Sequence, residues 1–213
     1  MTLQDLERRF TDLGDNYKTA DVDRLNKRLI KEGADVSFLK NVILQDQNYH
    51  RTYFQVSMGQ MQTVEERLDF IEDSFYLLQD WWHVDQLTQF VGGDLTFDEA
   101  YRRAKSYVAH SHPFARRWGY VIFLPKLVRG NHFEEIAKLF HDDEEYYVVM
   151  AEAWLISYLA IHHPENTLEW LKTKPLKYNI VGKAIQKICD SYQISNERKN
   201  EFKKIRKLYK DKI

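Results

Sequence analysis

The chain holds one cysteine, four prolines and eight glycines in 213 residues. A lone Cys189 excludes an internal disulfide and any cysteine-rich metal site. Proline plus glycine falls just under half of the usual share of about 12%, and no proline precedes Pro113. An antiparallel sandwich or barrel turns about every 8–12 residues, so turn-makers this scarce exclude it. No run of about 18 apolar residues exists, and no membrane span is expected. Residues 1–10 carry Asp5 and Glu7 but no apolar core, so no secretory signal is expected there. A basic excess is missing as well, the formal net charge being −1. Chains built around a polyanion are usually strongly basic, so any nucleic-acid binding has to come from a local patch or be weak.

What is present points to a folded helical protein. Thirteen Tyr, twelve Phe and five Trp beside 30% charged residues exclude a disordered tail. A chain of this length buries roughly 70% of its unfolded surface and needs no staples. A soluble protein of a reducing, cytoplasmic compartment is expected. The charge is uneven: residues 198–212 carry eight basic side chains against Glu201 and Asp211, a net of +6, which leaves −7 for the rest.

Helical periodicity runs through almost the whole chain. Leu3, Leu6, Phe10 and Leu13 form one stripe, as do Val22, Leu25 and Leu29 ahead of Gly33, an expected helix end. Helices are expected over 35–45 behind Asp35, then over 48–60, 63–78 and 80–91, the last closed by Gly92 and Gly93. Thr96 with Glu99 has capping-box spacing and opens a helix to about Ala109. Pro113 suits a first turn, and its helix runs to Arg129, with Pro125 as a kink. Residues 131–140, 143–162, 164–172, 176–191 and 196–211 complete about a dozen helices with short connections. An all-α helical-pair solenoid fits, as a single domain over 1–213, with a compact all-α bundle as the alternative.

Three clusters stand out. In Asp80-Trp81-Trp82-His83-Val84-Asp85, Trp81 and Asp85 are i, i+4 and share a helix face, while Trp82 points inward. Phe114, Arg117 and Trp118 fall within one turn, where an Arg beside an aromatic suits a phosphate or a base. In residues 145–154, Met150, Ala151 and Trp154 share a stripe, and Glu152 needs a partner if it faces inward. Taken singly, each cluster also reads as core packing or as a solvated salt-bridged face.

In this order and with these spacings, the clusters resemble the DNA alkylation repair family, the AlkD-type glycosylases built from HEAT-like helical pairs. The resemblance covers roughly residues 75–204, including the closing segment from Lys183 to Ser195. It implies a HEAT-like superhelix with a concave face, Trp81, Asp85 and Arg117 in catalytic positions, and Trp154, Arg116 and Phe114 against DNA. It also implies hydrolysis of the N-glycosidic bond of cationic N3- or N7-alkylated purines in duplex DNA, by a monomer without metal or cofactor. An ionised carboxylate at Asp85 would stabilise positive charge on the deoxyribose and position water. An indole face would add a cation contact, and an arginine would hold the flanking phosphate. Positive walls are expected from Arg102, Arg103, Lys105, Arg116 and Arg117. Phe114 stands where the family usually has Trp, and Ser157 where an Arg is expected. A non-catalytic helical module that binds DNA weakly, or a protein partner, therefore remains the alternative.

The other constellations carry less. His110, His112, His162 and His163 lack the i, i+4 spacing of a helical zinc site, and no metal is expected. Cys189 follows Ile185 and Ile188 in an apolar stripe and is expected to be buried. The basic C-terminal helix suits a DNA backbone, an acidic partner or plain solvation.

Overall fold

A computed structural model describes residues 1–174 and 176–211; Lys212, the last cation of the basic segment, lies outside them. The described residues contain thirteen α-helices, three 3-10 turns and no strand. The chain is all-α, as the periodicity implies, and consists of two compact units, Met1–Leu95 and Thr96–Ile213.

The first unit holds α1 (Leu3–Thr11), α2 (Thr19–Lys31), α3 (Gln47–Gln60), α4 (Val64–Asp73), α5 (Trp81–Asp85) and α6 (Leu87–Val91). Thr2 with Asp5 and Thr63 with Glu66 form complete capping boxes on α1 and α4. Gly33, at φ 62°, ends α2: its N–H reaches Ile30 O, and Ala34 N–H reaches Leu29 O at 3.0 Å. This is the Schellman pattern, which needs a residue that tolerates positive φ. The expected helix over 35–45 is only a 3-10 turn, Ser37–Asn41. Asp35 takes the Ser37 N–H into a local turn at 2.9 Å, and this competes with helix growth. The helix begun at Val64 stops at Asp73, leaving Phe75–Leu77 as a 3-10 turn. Central α3 packs on α2, α4 and α6 around Leu25, Leu29, Phe54, Met58, Leu68 and Leu87.

The second unit holds α7 (Phe97–Tyr107), α8 (Pro113–Val121), α9 (Phe133–Ala137), α10 (Tyr146–His162), α11 (Pro164–Thr173), α12 (Tyr178–Asp190) and α13 (Asn196–Lys210). Thr96 caps α7, but Glu99 does not complete the box, because its carboxylate is held by Arg102 and Arg103. Helix α8 ends at Val121, well short of Arg129. Pro125 lacks an N–H, and its ring would strike the carbonyl four residues back, that of Val121; the proline stops the helix instead of kinking it. Within this unit α8, α10 and α12 pack in a row, α7 lies on α8, and α11 lies on both α10 and α13. That is the stacking of HEAT-like helical pairs. Helix α10 is buried on nearly every side, with Val148, Leu155, Ile156 and Leu159 wholly enclosed. Gly119 lets α8 approach the end of α7: a Cβ there would lie 2.7 Å from Val108 Cγ1 and 3.1 Å from Val108 N.

Candidate functional site

In the first unit the site is organised around α5. Asp80 caps it, its carboxylate accepting Trp81 N–H at 2.7 Å. Trp81, in the first turn, is 47% exposed. Trp82 is half-buried with its edge on two histidine rings, 5.2 Å from His50 and 4.0 Å from His83. Asp85, four residues after Trp81, is half-buried, and its backbone carbonyl takes the Thr88 hydroxyl at 2.8 Å. Beyond Gln86 the chain continues as α6, so the single helix expected over 80–91 is split, and it closes at Gly92 at φ 99°.

The floor beneath α5 is a stacked histidine pair. His50 from α3 and His83 from α5 are both buried, their ring centroids 3.6 Å apart and nearly parallel. His83 Nδ1 accepts Gln79 N–H at 3.0 Å, and Gln86 Nε2 lies 2.8 Å from His50 Nδ1. Burial pushes His50 down to about 3, with the His83 ring adding to it. His83 falls to about 4 for the same first reason, against a smaller opposing pull from Asp80. Both rings are neutral at pH 7 and act as a flat, uncharged platform. Beside it a cleft of about 280 Å³ is lined by Thr19, Gln47, Asn48, Arg51, Trp81, Trp82 and Gln86. Arg51 is clamped by Asp23 through two contacts, at 2.7 and 2.9 Å. The cleft is therefore polar and aromatic with little net charge. Sequence reasoning passed over His50, although it occupies the buried stripe with Phe54 and Met58; nothing in the spacing names His83 as its partner.

The other predicted residues belong to the second unit. Arg117 is buried, and its Nη1 donates to Tyr147 O at 2.6 Å, joining α8 to the first turn of α10. Arg116 is bound to Asp143 through Nε at 2.5 Å and Nη2 at 3.2 Å, while Nη1 donates to the carbonyls of His110 and Ser111. Arg102 and Arg103 both engage Glu99. Most of the cations expected as positive walls thus have anionic partners in the protein. Phe114 is half-buried against Tyr147, at 5.8 Å between centroids, whereas Trp118 is wholly core. Trp154 is half-buried on α10 beside Tyr158. Two lysines of α12 approach this aromatic stripe, Lys183 4.9 Å from the Tyr146 ring centre and Lys187 6.0 Å from that of Trp154. These two lysines did not figure among the predicted site residues.

Glu152 faces inward with no exposure, and neither carboxyl oxygen has a hydrogen-bond partner among the described residues. The neighbouring Tyr120 hydroxyl donates instead to Leu139 O at 3.1 Å. Burial raises Glu152 to about 7. Of the histidines weighed for a metal, His110 accepts the His112 N–H, and His163 bonds Val128 O. Among the described residues no group of three or more His, Cys, Asp or Glu is arranged to hold a metal ion, and no helix is long and apolar enough to cross a membrane. Cys189 is half-buried, more open than its apolar stripe implied.

Helical pairs stacked in the second unit, in an all-α chain, define a class of helical-repeat protein. The family model described as DNA alkylation repair enzyme matches residues 16–188, well over half of the chain and across both units. The chain belongs to that family. No curated protein and no solved structure matches it at a significant level.

Proposed function

We propose that the protein is a DNA glycosylase of the alkylation repair family, acting in the cytoplasm as a monomer on N3- and N7-alkylated purines in duplex DNA. The two units serve as one functional domain, since the family match crosses their boundary. The observation that carries the reading is α5: an exposed Trp81 and, one turn on, the Asp85 carboxyl, on a rigid uncharged platform. Alkylation at a ring nitrogen already makes the base a good leaving group, so the protein has no need of a strong acid. As the base departs with the bonding electron pair, positive charge grows on the sugar. Asp85 stabilises that charge and orients the water that adds to the anomeric carbon, the water's proton passing to bulk solvent, while the Trp81 face supplies a cation contact. Arg117 serves as a positioning group through Tyr147, and Phe114 and Trp154 with Lys183 and Lys187 offer stacking and charge to the DNA.

A second reading, a helical module that holds DNA without breaking the glycosidic bond, is favoured by the engagement of Arg116 and Arg117 inside the protein. Single-turnover release of 7-methylguanine and 3-methyladenine from methylated duplex separates the two. Release that disappears in Asp85→Asn supports the glycosylase. Equal release by the Asp85→Asn protein refutes the role of the carboxylate, and no release by the wild type leaves the binding module.

A further inference from the structure

Helix α13 lies beyond residue 188, where the family match ends, and the function proposed above makes no use of it. Its Phe202, Ile205 and Tyr209 are buried, and the helix packs on α11 and α12. Lys199, Lys203, Arg206, Lys207 and Lys210 recur at spacings of three and four, which puts them on one stripe beside that apolar face. The last four are exposed. Arg198, off the stripe, is the cation of α13 that is ion-paired, to Glu165 and Glu201. Within the stripe, Lys203 and Arg206 make only long bonds to neutral groups, 3.5 Å to Asn200 and 3.4 Å to Tyr178, and none of the five forms an ion pair among the described residues. Such density of one sign, in a chain of net −1, leaves a strong local field.

We infer that this stripe binds the phosphate backbone of duplex DNA without regard to sequence or lesion. The inference rests on reading the chain as a DNA-acting protein. From Lys199 to Lys210 the stripe spans about 16 Å, which along the duplex axis matches the rise of about five base pairs. Its side chains are point charges on flexible stems, with one arginine, which suits phosphates better than base edges. A membrane surface fits less well, because the apolar face such a helix would insert is already packed, leaving only Leu208 exposed.

The test is fluorescence anisotropy with an undamaged duplex at salt from about 25 to 200 mM, comparing wild type with K203Q/R206Q/K207Q/K210Q. Each lost phosphate contact removes about 0.9 from the slope of log K against log salt, so a fall of roughly 2–4 is expected, with binding at low salt at least about tenfold weaker. A K203R/K207R/K210R control keeps the wild-type slope. An unchanged thermal midpoint in both variants shows that the fold is intact. A wild-type slope in the glutamine variant, no duplex binding by the wild type at the lowest salt, or loss of binding only to phosphatidylserine vesicles overturns the inference. A wild type that shows the slope effect but releases no methylated purine refutes the glycosylase and leaves this inference standing.

Discussion

Acid should loosen the platform beneath α5, by an amount set by His50 and His83. In the unfolded chain each titrates near 6.5, whereas in the folded protein they are held at about 3 and about 4. The folded values lie below the unfolded ones, so stability present above pH 6.5 is lost as pH falls toward 4. At pH 5 the unfolded state has gained both protons and the folded state neither, which costs about 2 kcal/mol per histidine relative to pH 8. Glu152 acts in the opposite direction. Its folded value of about 7 exceeds the ordinary 4.5, so its burial penalises the fold at pH 8 and much less at pH 5, a gain of about 2.5 kcal/mol on acidification. The wild-type curve therefore mixes a loss in one unit with a gain in the other. Comparison with His50→Gln isolates the histidine. Urea denaturation at fixed ionic strength should show the variant's stability deficit shrinking by about 2 kcal/mol between pH 8 and pH 5. A deficit that stays constant across that range would falsify the neutral-platform argument.

Glu152→Gln should stabilise the second unit by about 3 kcal/mol at pH 8 and by under about 1 kcal/mol at pH 5, read from urea midpoints. Equal gains at both pH values would show that the carboxyl is not ionising in place. Arg116→Ala removes the partner of Asp143, whose side chain is only 7% exposed. The loss should reach about 3 kcal/mol, with a clear drop in thermal midpoint, whereas a residue serving DNA alone would leave the midpoint unmoved. Gly119→Ala forces a methyl against Val108 Cγ1 and the Val108 backbone, so about 1–3 kcal/mol is expected to be lost in urea denaturation. Trp81→Ala should leave the thermal midpoint within a few degrees because about half of the residue is exposed, yet cut single-turnover base release by at least about tenfold.

Much of this protein is determined by local chemistry that a sequence exposes directly. Scarce glycine and proline with stripes such as Val22, Leu25 and Leu29 dictate helices, and Gly33 and Thr96 mark boundaries, because caps and ends depend on a few adjacent residues. Trp81 and Asp85 share a face for the same reason: four residues make about one helical turn. The exceptions among the helices are also local: Asp35 holds the Ser37 N–H where a helix is expected, and Pro125 stops α8 at Val121, so only the side-chain partners are tertiary. Tertiary structure decided what those side chains meet. Arg116 is expected from the sequence in a positive wall facing DNA, or on a salt-bridged face, but its partner Asp143 lies 27 residues on. His50 and His83 are separated by two connections and stack only because α3 and α5 fold together. Glu152 sits among apolar neighbours in sequence, but its ionisation at neutral pH depends on α10 being enclosed on nearly every side. Helical periodicity is written within four residues; ion pairs, ring stacking and desolvation are set by distances that only the packed chain defines.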